Sequence, residues 1–210
     1  MKTSSWFLCR NWIISNLNQV LETEIVPESM SDEELVRKIA RQNNATLFAV
    51  LYDRYAQRVY NKCYSFSKSA DEAEDLTQDV FLMLFIKLSS FKGRSKFSTW
   101  LYAFTYNFCV NYVNRNKQRM MSDKSDSISE SDKPIQGGND DAEIANMRAE
   151  KLKKALELIE PEDKKILLLK YQDDVSIKEL TTILEIGESA VKMRLKRAKS
   201  RIVEAYNKIP

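Results

Sequence analysis

The chain contains no histidine, and its three cysteines, Cys9, Cys63 and Cys109, are far apart in the sequence. Zinc sites and histidine-based catalytic triads are therefore excluded or nearly so. Glycine and proline number only four each among 210 residues, which leaves too few turn signals for an all-β chain. No apolar run reaches the roughly 20 residues needed to span a membrane. These absences favour an all-α protein, for which we expect no catalytic residue, no metal, no cofactor and no membrane insertion.

Charge is unevenly distributed, although the net charge is only +3. Residues 30–121 and 151–210 are basic, and residues 122–150 between them are acidic. Two basic blocks fit a polyanionic partner, and the acidic segment fits a connection that does not bind that partner. Residues 121–142 are also rich in Ser, Asp and Gly and nearly free of apolar side chains. We therefore interpret them as a flexible linker between a domain at 30–120 and another at 143–210.

Helix-start signals organise the first domain. Ser31 with Glu34, and Ser69 with Glu72, each have the spacing of a capping box. Apolar residues recur at helical intervals after both boxes, continuing from Leu35 as far as Tyr60 in the first case. Because Met30 directly precedes the first box, we interpret residues 1–29 as a dispensable extension or the result of a start codon assigned too early.

The helix that follows Ser69 has an unusual second face. Its predicted core stripe consists of Ala73, Leu76, Val80, Leu84 and Leu88. That stripe leaves Asp75, Asp79, Leu82 and Ile86 on another side. Two interpretations stay open: the helix is buried on all sides, or this second face is a partner surface on which the apolar residues dock and the acids meet basic groups.

Aromatic residues are dense between Phe91 and Tyr112, and basic residues lie on both sides of them. Their alternation taken alone is typical of a strand. The helical spacing of Leu101, Phe104 and Phe108 instead predicts a helix over residues 98–119 that is capped by Ser98 and uses these three side chains as core. The remaining rings, including Trp100, Tyr102 and Tyr106, spread around the helix. Rings beside cations suit single-stranded nucleic acid, because bases stack on the rings.

The last third of the chain predicts a helix-turn-helix. Pro161 suits the first turn of a helix, and Ser176 with Glu179 forms a further capping box. Gly187 is expected to supply the positive φ of a tight turn. A longer helix then runs from about Glu188 to Tyr206, and a short helix, a turn and a longer helix are typical of DNA-reading modules.

The second helix of this motif separates into faces. Its apolar stripe is Val191, Leu195, Ala198, Ile202 and Tyr206, and its opposite face carries Ser189, Met193, Lys196 and Ser200. From Lys192 to Arg201 there are six basic residues and no acidic one. A solvated surface helix usually carries charges of both signs, so a stretch of helix with only positive charges favours insertion into a DNA groove.

The motifs together resemble a bacterial sigma factor of the extracytoplasmic-function group, within the sigma-70 superfamily. DEAEDLTQDVFLMLF looks like the polymerase-binding helix of sigma domain 2, and FKGRSKFSTWLYAFTYNFCVNYVNR looks like the promoter-melting segment. LELIEPEDKKILLLKY and SIKELTTILEIGESAVKMRLKRAKSRI look like sigma domain 4. The resemblance covers about residues 30–120 and 143–209. It implies two helical domains, a cytoplasmic protein that performs no chemistry, and three partners: core RNA polymerase, promoter DNA in duplex and melted form, and an anti-sigma factor.

The resemblance also implies site residues. Contacts to core polymerase fall on Asp75, Gln78, Asp79 and Leu82. Recognition of the −10 element and melting fall on Lys92, Arg94, Ser95, Lys96, Phe97, Trp100 and Asn107, with a base flipped out of the stack. Contacts to the −35 element fall on Ser189, Lys192, Met193, Lys196 and Arg197. The family often has a basic residue in place of Ala103, a small or apolar one in place of Tyr106 and a small polar one in place of Met193, so the promoter sequence is not implied.

Two other classes of protein share some of these features. A repressor or activator would also carry a helix-turn-helix, but it would need neither a melting segment nor a polymerase-binding helix. A nuclease or recombinase would need an acidic metal cluster. The acidic neighbours at residues 71–75 fit the favourable charge at a helix start better than such a cluster.

Overall fold

The computed structural model describes residues 30–122 and 140–210, so the predictions for residues 1–29 and for most of the linker lie outside it. All regular elements within these two ranges are helical, which confirms the all-α prediction. The chain divides into two compact units between Cys109 and Val110. The predicted domain boundaries at residues 120 and 143 stay predictions.

The first unit is built around a central helix. Its elements are α1 (Asp32–Gln42), α2 (Ala45–Tyr64), α3 (Ala70–Lys87), a 3-10 turn (Leu88–Ser90) and the start of α4 (Phe97–Ser122). Helix α2 packs against both α1 and α3. Phe48 of α2 meets Phe85 of α3 edge-on, with 4.9 Å between the ring centroids. The predicted core stripe of α3, from Ala73 to Leu88, is buried throughout, as expected.

The helix starts in this unit agree only in part with their predictions. Ser31 and Glu34 form the full capping box. The apolar spacing after Leu35 predicted a continuous helical pattern, but the helix is interrupted at Asn43, which has a φ of 49°. Asparagine tolerates this left-handed conformation, and it ends α1 there. At the second predicted box, the Ser69 side chain caps α3 as expected, but the Glu72 carboxylate accepts a hydrogen bond from the backbone N–H of Lys68 instead of forming the predicted pair.

Helix α4 begins at Phe97, so the prediction that Ser98 caps it was wrong. A cap comes from another helix: the Glu33 carboxylate of α1 accepts a hydrogen bond from the backbone N–H of Phe97 at 3.1 Å. Leu101 is core, as predicted. Phe104 and Phe108 are only half-buried, so their placement in the core was wrong. The buried face of α4 instead contains Leu101 and the residues that lie one and two turns after it on the same side. These residues are Thr105, Tyr106 and Cys109.

The second unit contains the predicted helix-turn-helix. Its described elements after the end of α4 are α5 (Asp140–Leu158), α6 (Pro161–Leu167), a π-helical turn (Leu168–Gln172), α7 (Ile177–Leu184) and α8 (Glu188–Lys208). Pro161 occupies the first turn of α6, as predicted. Helix α8 contacts α5, α6 and α7, so its position is fixed by all three.

The turn between α7 and α8 differs from its prediction. Ser176 and Glu179 form the expected capping box at the start of α7. Gly187, however, has a φ of −65° and is the N-cap of α8. The left-handed residue is Glu185, with a φ of 53°, at the end of α7. The tight turn is therefore made two residues before the glycine, by a residue type that adopts this conformation at some cost.

Candidate functional site

The outer face of α8 is arranged as its spacing predicted. Val191 and Leu195 are buried against the other helices. Ser189 and Lys196 are exposed, and Met193 is 53% exposed despite being apolar. An exposed apolar side chain among cations is suited to the thymine methyl group in the major groove.

The cations on either side of this face have defined partners. The ammonium of Lys192 lies 2.6 Å from the Glu188 carboxylate, one turn earlier on α8. That hydrogen bond lowers the pKa of Glu188. On the other side Arg201 forms an ion pair with Asp163 of α6, and this pair raises the pKa of Arg201. The exposed face thus lies between two intramolecular ion pairs.

A cavity of about 290 Å³ lies beside this face, between α6, the end of α7 and α8. Arg194, Arg197 and Arg201 line it from α8, and Lys165 lines it from α6. Burial lowers the pKa of Lys165, and the nearby Arg194 lowers it further. Of the predicted −35 residues, only Arg197 borders this cavity. Lys165 was not predicted, because it becomes half-buried only where α6, α7 and α8 meet.

The second face of α3 is open to solvent. Asp75 and Asp79 are exposed, and Gln78 is half-buried between them. Leu82 is 37% exposed and Ile86 is 69% exposed. The interpretation of α3 as a helix buried on all sides was therefore wrong, and the interpretation of this face as a partner surface stays a prediction.

The loop before α4 exposes its basic side chains to solvent, whereas the aromatic ring at its end is buried. Lys92, Arg94 and Lys96 are exposed, and Ser95 is half-buried. Phe97 is fully buried. It lies 5.4 Å from the Phe91 ring and 5.6 Å from the Tyr55 ring, measured between centroids. In this arrangement Phe97 supports the loop, and its ring offers no surface to nucleic acid.

Two predicted side chains of α4 reach the surface beyond this loop. Trp100 is half-buried and stacks on Phe104 at a centroid distance of 5.5 Å. Asn107 is exposed. The structure thus places a cationic loop directly before α4, and a stacked indole and an exposed amide within the first turns of that helix. Charged and stacking groups in this arrangement suit an unpaired strand.

Lys62 of α2 is a buried cation that the sequence reasoning missed. It is only 4% exposed, and its ammonium lies 3.9 Å from the centroid of the Tyr102 ring and 5.1 Å from that of Tyr106. The Tyr106 hydroxyl is 3.4 Å from the same ammonium. Tyr106 is itself fully buried, so it is core and not one of the rings spread around α4. No local pattern reveals this group, because Lys62 and Tyr106 are 44 positions apart in the sequence.

The fold and these surfaces define a class: a two-unit helical protein that reads DNA through a helix-turn-helix. Comparison with known proteins narrows the class. Residues 51–119 match the family described as Sigma-70 region 2, and residues 149–202 match Sigma-70, region 4. Together these matches cover more than half of the chain.

Curated relatives and solved structures agree with these matches. The chain is 25% identical to the ECF RNA polymerase sigma factor SigW of Bacillus subtilis, over 79% of this chain and 91% of the relative. It is 29% identical to the ECF RNA polymerase sigma-E factor of Escherichia coli, over 83% and 94% respectively. The fold resembles the sigma factor RpoE of Bartonella quintana, solved with the anti-sigma factor NepR, with a TM-score of 0.56 and 24% identity over 78% of this chain and 98% of that one.

This chain belongs to the sigma-70 family, in the extracytoplasmic-function group of sigma factors. Members of the family are transcription initiation factors, and this protein directs RNA polymerase to initiate transcription at specific promoters. In the part of the chain that the structure describes, no helix is both long enough and apolar enough to cross a membrane.

Proposed function

We propose that the two units divide promoter recognition between them. The first, taken as residues 30–120, binds core RNA polymerase and holds the melted −10 element. The second, taken as residues 143–210, reads the −35 element in duplex form. The observation that carries the proposal is the segregation of chemistry among three exposed surfaces: acidic and apolar on α3, cationic and aromatic at the start of α4, and cationic around Met193 on α8.

The open face of α3 is the proposed contact to core polymerase. Asp75, Asp79, Leu82 and Ile86 lie along one side of the helix, with Gln78 at its edge. Burial of the apolar pair against a partner would supply the association energy, and the carboxylates would set the orientation by pairing with basic groups. A mixed surface of this kind is typical of an interface that must also dissociate.

The start of α4 is the proposed site for the −10 element. Lys92, Arg94 and Lys96 would hold the backbone of the displaced strand, and Ser95 and Asn107 would read a base that has left the stack. Trp100 offers a ring for an unpaired base, and each such stacking contact contributes roughly 1–3 kcal/mol. Phe97 acts beneath the surface by fixing the loop. These contacts offset the lost base stacking, so melting requires no chemical step by the protein.

Helix α8 is the proposed reader of the −35 element. Ser189, Met193 and Lys196 face outward in one line, and Lys192 and Arg197 flank them. The central residues would meet base edges, and the flanking cations would meet phosphates. Because base contacts specify and phosphate contacts position, substitution of Met193 should change sequence preference more than overall affinity.

Two further properties belong to this proposal. RNA polymerase is cytoplasmic, so the protein acts in the cytoplasm. It is also proposed to catalyse no reaction of its own. An anti-sigma factor is a proposed partner, because Bartonella RpoE was solved bound to NepR and CnrH was solved with the cytosolic domain of CnrY, at a TM-score of 0.57 and 18% identity to this chain.

In vitro transcription tests the proposal. Core polymerase with the full-length protein should initiate at a cognate promoter where core polymerase alone does not. Ile86→Glu should abolish initiation and binding to core polymerase, because it places a charge on the proposed docking face. Met121→Glu is the matched control, since Met121 is also an exposed apolar residue, at 78%, but lies on α4. Initiation by Ile86→Glu at the level of the parent protein would exclude this face of α3 as the contact to core polymerase.

A further inference from the structure

Two of the cysteines meet in the core of the first unit. The sulfur of Cys63 on α2 lies 3.9 Å from the sulfur of Cys109 on α4, and the Cys109 thiol donates a hydrogen bond to Cys63. Both are free thiols, and both side chains are fully buried. They are 46 positions apart in the sequence, so nothing in their spacing predicted the pair. A disulfide needs a sulfur separation of about 2 Å, so the side chains or the helices must move before a bond can form.

The surroundings of Cys63 favour its thiolate form. The hydrogen bond from Cys109 lowers the pKa of Cys63, and further hydrogen bonds, including one with Thr77, act in the same direction against the opposing effect of burial. The ammonium of Lys62, the residue before it, also lowers the pKa. Buried structural cysteines ordinarily sit among apolar groups that raise their pKa and make them inert. Cys63 instead has a hydrogen-bond donor and a cation beside it.

We propose that Cys63 and Cys109 are a modification site: a dithiol that a peroxide converts to a disulfide joining α2 to α4. Cys63 attacks the peroxide, the O–O bond breaks, and Cys63 becomes a sulfenic acid as one water is released. The sulfur of Cys109 then attacks that of Cys63, its proton leaves with the hydroxyl group as a second water, and the S–S bond forms. The peroxide is reduced to water, and the two thiols lose two electrons.

Burial determines how the reaction proceeds. A peroxide reaches the buried pair only when the side chains packed around it open locally and leave the two thiols in contact, so oxidation depends on the population of that opening. The resolving thiol is already in place when the opening closes. A sulfenic acid at Cys63 therefore meets Cys109 before a second peroxide, and over-oxidation is suppressed. In a reducing cytoplasm such a bond would be transient, as regulatory disulfides are.

The experiment uses the full-length protein with Cys9→Ser, which leaves only the pair. It is treated with hydrogen peroxide, alkylated with iodoacetamide and digested without reductant. The expected product is a peptide pair linked through Cys63 and Cys109, lighter than the two free peptides by two hydrogen atoms and separated by dithiothreitol, in protein whose circular dichroism stays helical. Full alkylation of both thiols, sulfinic acid at either position, or a linkage found only in protein that has lost helix would overturn the proposal.

Single variants test the assignment of roles. In Cys109→Ser, peroxide should leave a sulfenic acid at Cys63 that dimedone labels. In Cys63→Ser, labelling of Cys109 should be weaker by roughly tenfold, because Cys109 is the donor of the hydrogen bond between the two thiols and Cys63 is the acceptor. Equal labelling of the two variants would remove Cys63 as the attacking group. If a serine variant loses helical signal, the corresponding alanine variant replaces it. The readouts are independent of promoter binding, so failure of the proposed function would leave this result unchanged.

Discussion

Glu33 and Phe97 are joined across 64 positions of sequence by one hydrogen bond, from the backbone N–H of Phe97 to the Glu33 carboxylate at 3.1 Å. The first amides of a helix have no partner within that helix. A carboxylate from α1 therefore completes the start of α4 and also brings negative charge to the positive end of its dipole. The loop carrying Lys92, Arg94 and Lys96 ends at this point, so α1 sets where that loop stops.

Glu33→Ala should lower the free energy of unfolding by about 1–3 kcal/mol, because the amide of Phe97 is left without this acceptor. Glu33→Gln keeps an oxygen acceptor and should recover much of the loss. Lys38→Ala, an exposed change on the same helix, is the control. Urea denaturation followed by circular dichroism measures all three. An alanine variant as stable as the parent would show that solvent replaces the carboxylate at no cost.

Tyr55 should make stability fall at alkaline pH. Burial raises the pKa of Tyr55, and the hydrogen bond that its hydroxyl donates to Asp32 raises it further. A raised pKa means that the neutral phenol is favoured in the folded state. Its contribution is therefore complete below the ordinary tyrosine value of about 10 and declines as the pH rises above it.

Tyr55→Phe tests this dependence. The variant should be less stable than the parent at neutral pH, and the difference should shrink as the pH passes about 10. The measurement is a series of urea melts between neutral and alkaline pH. Tyr171→Phe serves as the comparison, because Tyr171 is 57% exposed. Parallel curves for parent and Tyr55→Phe across the alkaline range would contradict the assignment.

Glu188→Gln should strengthen DNA binding. Glu188 occupies the N-terminal turn of α8 and holds the ammonium of Lys192 at 2.6 Å. Removal of its charge frees that ammonium for phosphate and takes a repulsive group away from the DNA. Affinity for duplex promoter DNA at low salt should rise by about two- to fivefold and fall back as salt is added.

Helix α8 itself contains the matched control for this change. Glu204 pairs with Lys208 at 2.8 Å with the same i to i+4 spacing, near the far end of the helix. Glu204→Gln should therefore leave affinity nearly unchanged. The measurement is fluorescence anisotropy with a labelled duplex. An equal gain from both variants would indicate a general effect of net charge and not a local effect at the reading end.

Asn107→Ala should impair promoter opening and leave binding to core polymerase intact, because the exposed amide is the proposed reader of an unpaired base. Opening should fall by about tenfold, the loss expected from one well-placed polar contact to a base. Permanganate reactivity of unpaired thymines measures opening, and co-purification measures core binding. Asn61→Ala, another exposed asparagine in the first unit, is the control. Unchanged opening would remove Asn107 from the site.

Most features set by local sequence were predicted well, although the second half of the box at Ser69 and the cap at Ser98 were not. The capping boxes at Ser31 and Ser176 require only four consecutive residues, and both are present. The two faces of α8 follow from periodicity, which the burial of Val191 and the exposure of Met193 confirm. The family resemblance also depended on local motifs, and the matches to the two sigma-70 regions confirm it.

Features that depend on contacts between helices were not predicted. A ring in α4 can be core or surface at similar spacing. Phe104, predicted as core, is only half-buried, and Tyr106, counted among the rings spread around the helix, is fully buried. The contact between the Lys62 ammonium and the Tyr106 ring accompanies the burial of Tyr106, and it joins two helices that are distant in the sequence. The prediction of a positive φ at Gly187 was wrong for another reason. Glycine permits a positive φ but does not require it, and Glu185 adopts that conformation instead.

The unbroken course of α4 has a consequence for changes in chain length. The helix runs from Phe97 to Ser122, and each residue in it turns the following side chains by about 100°. One residue inserted between Trp100 and Asn107 would rotate the amide away from the side on which the indole lies, and one deletion would rotate it the opposite way. Loops absorb such events, but a helix transmits them along its length. We therefore expect insertions and deletions among relatives to fall before Phe97 or beyond the end of this helix, where they leave its rotational phase intact.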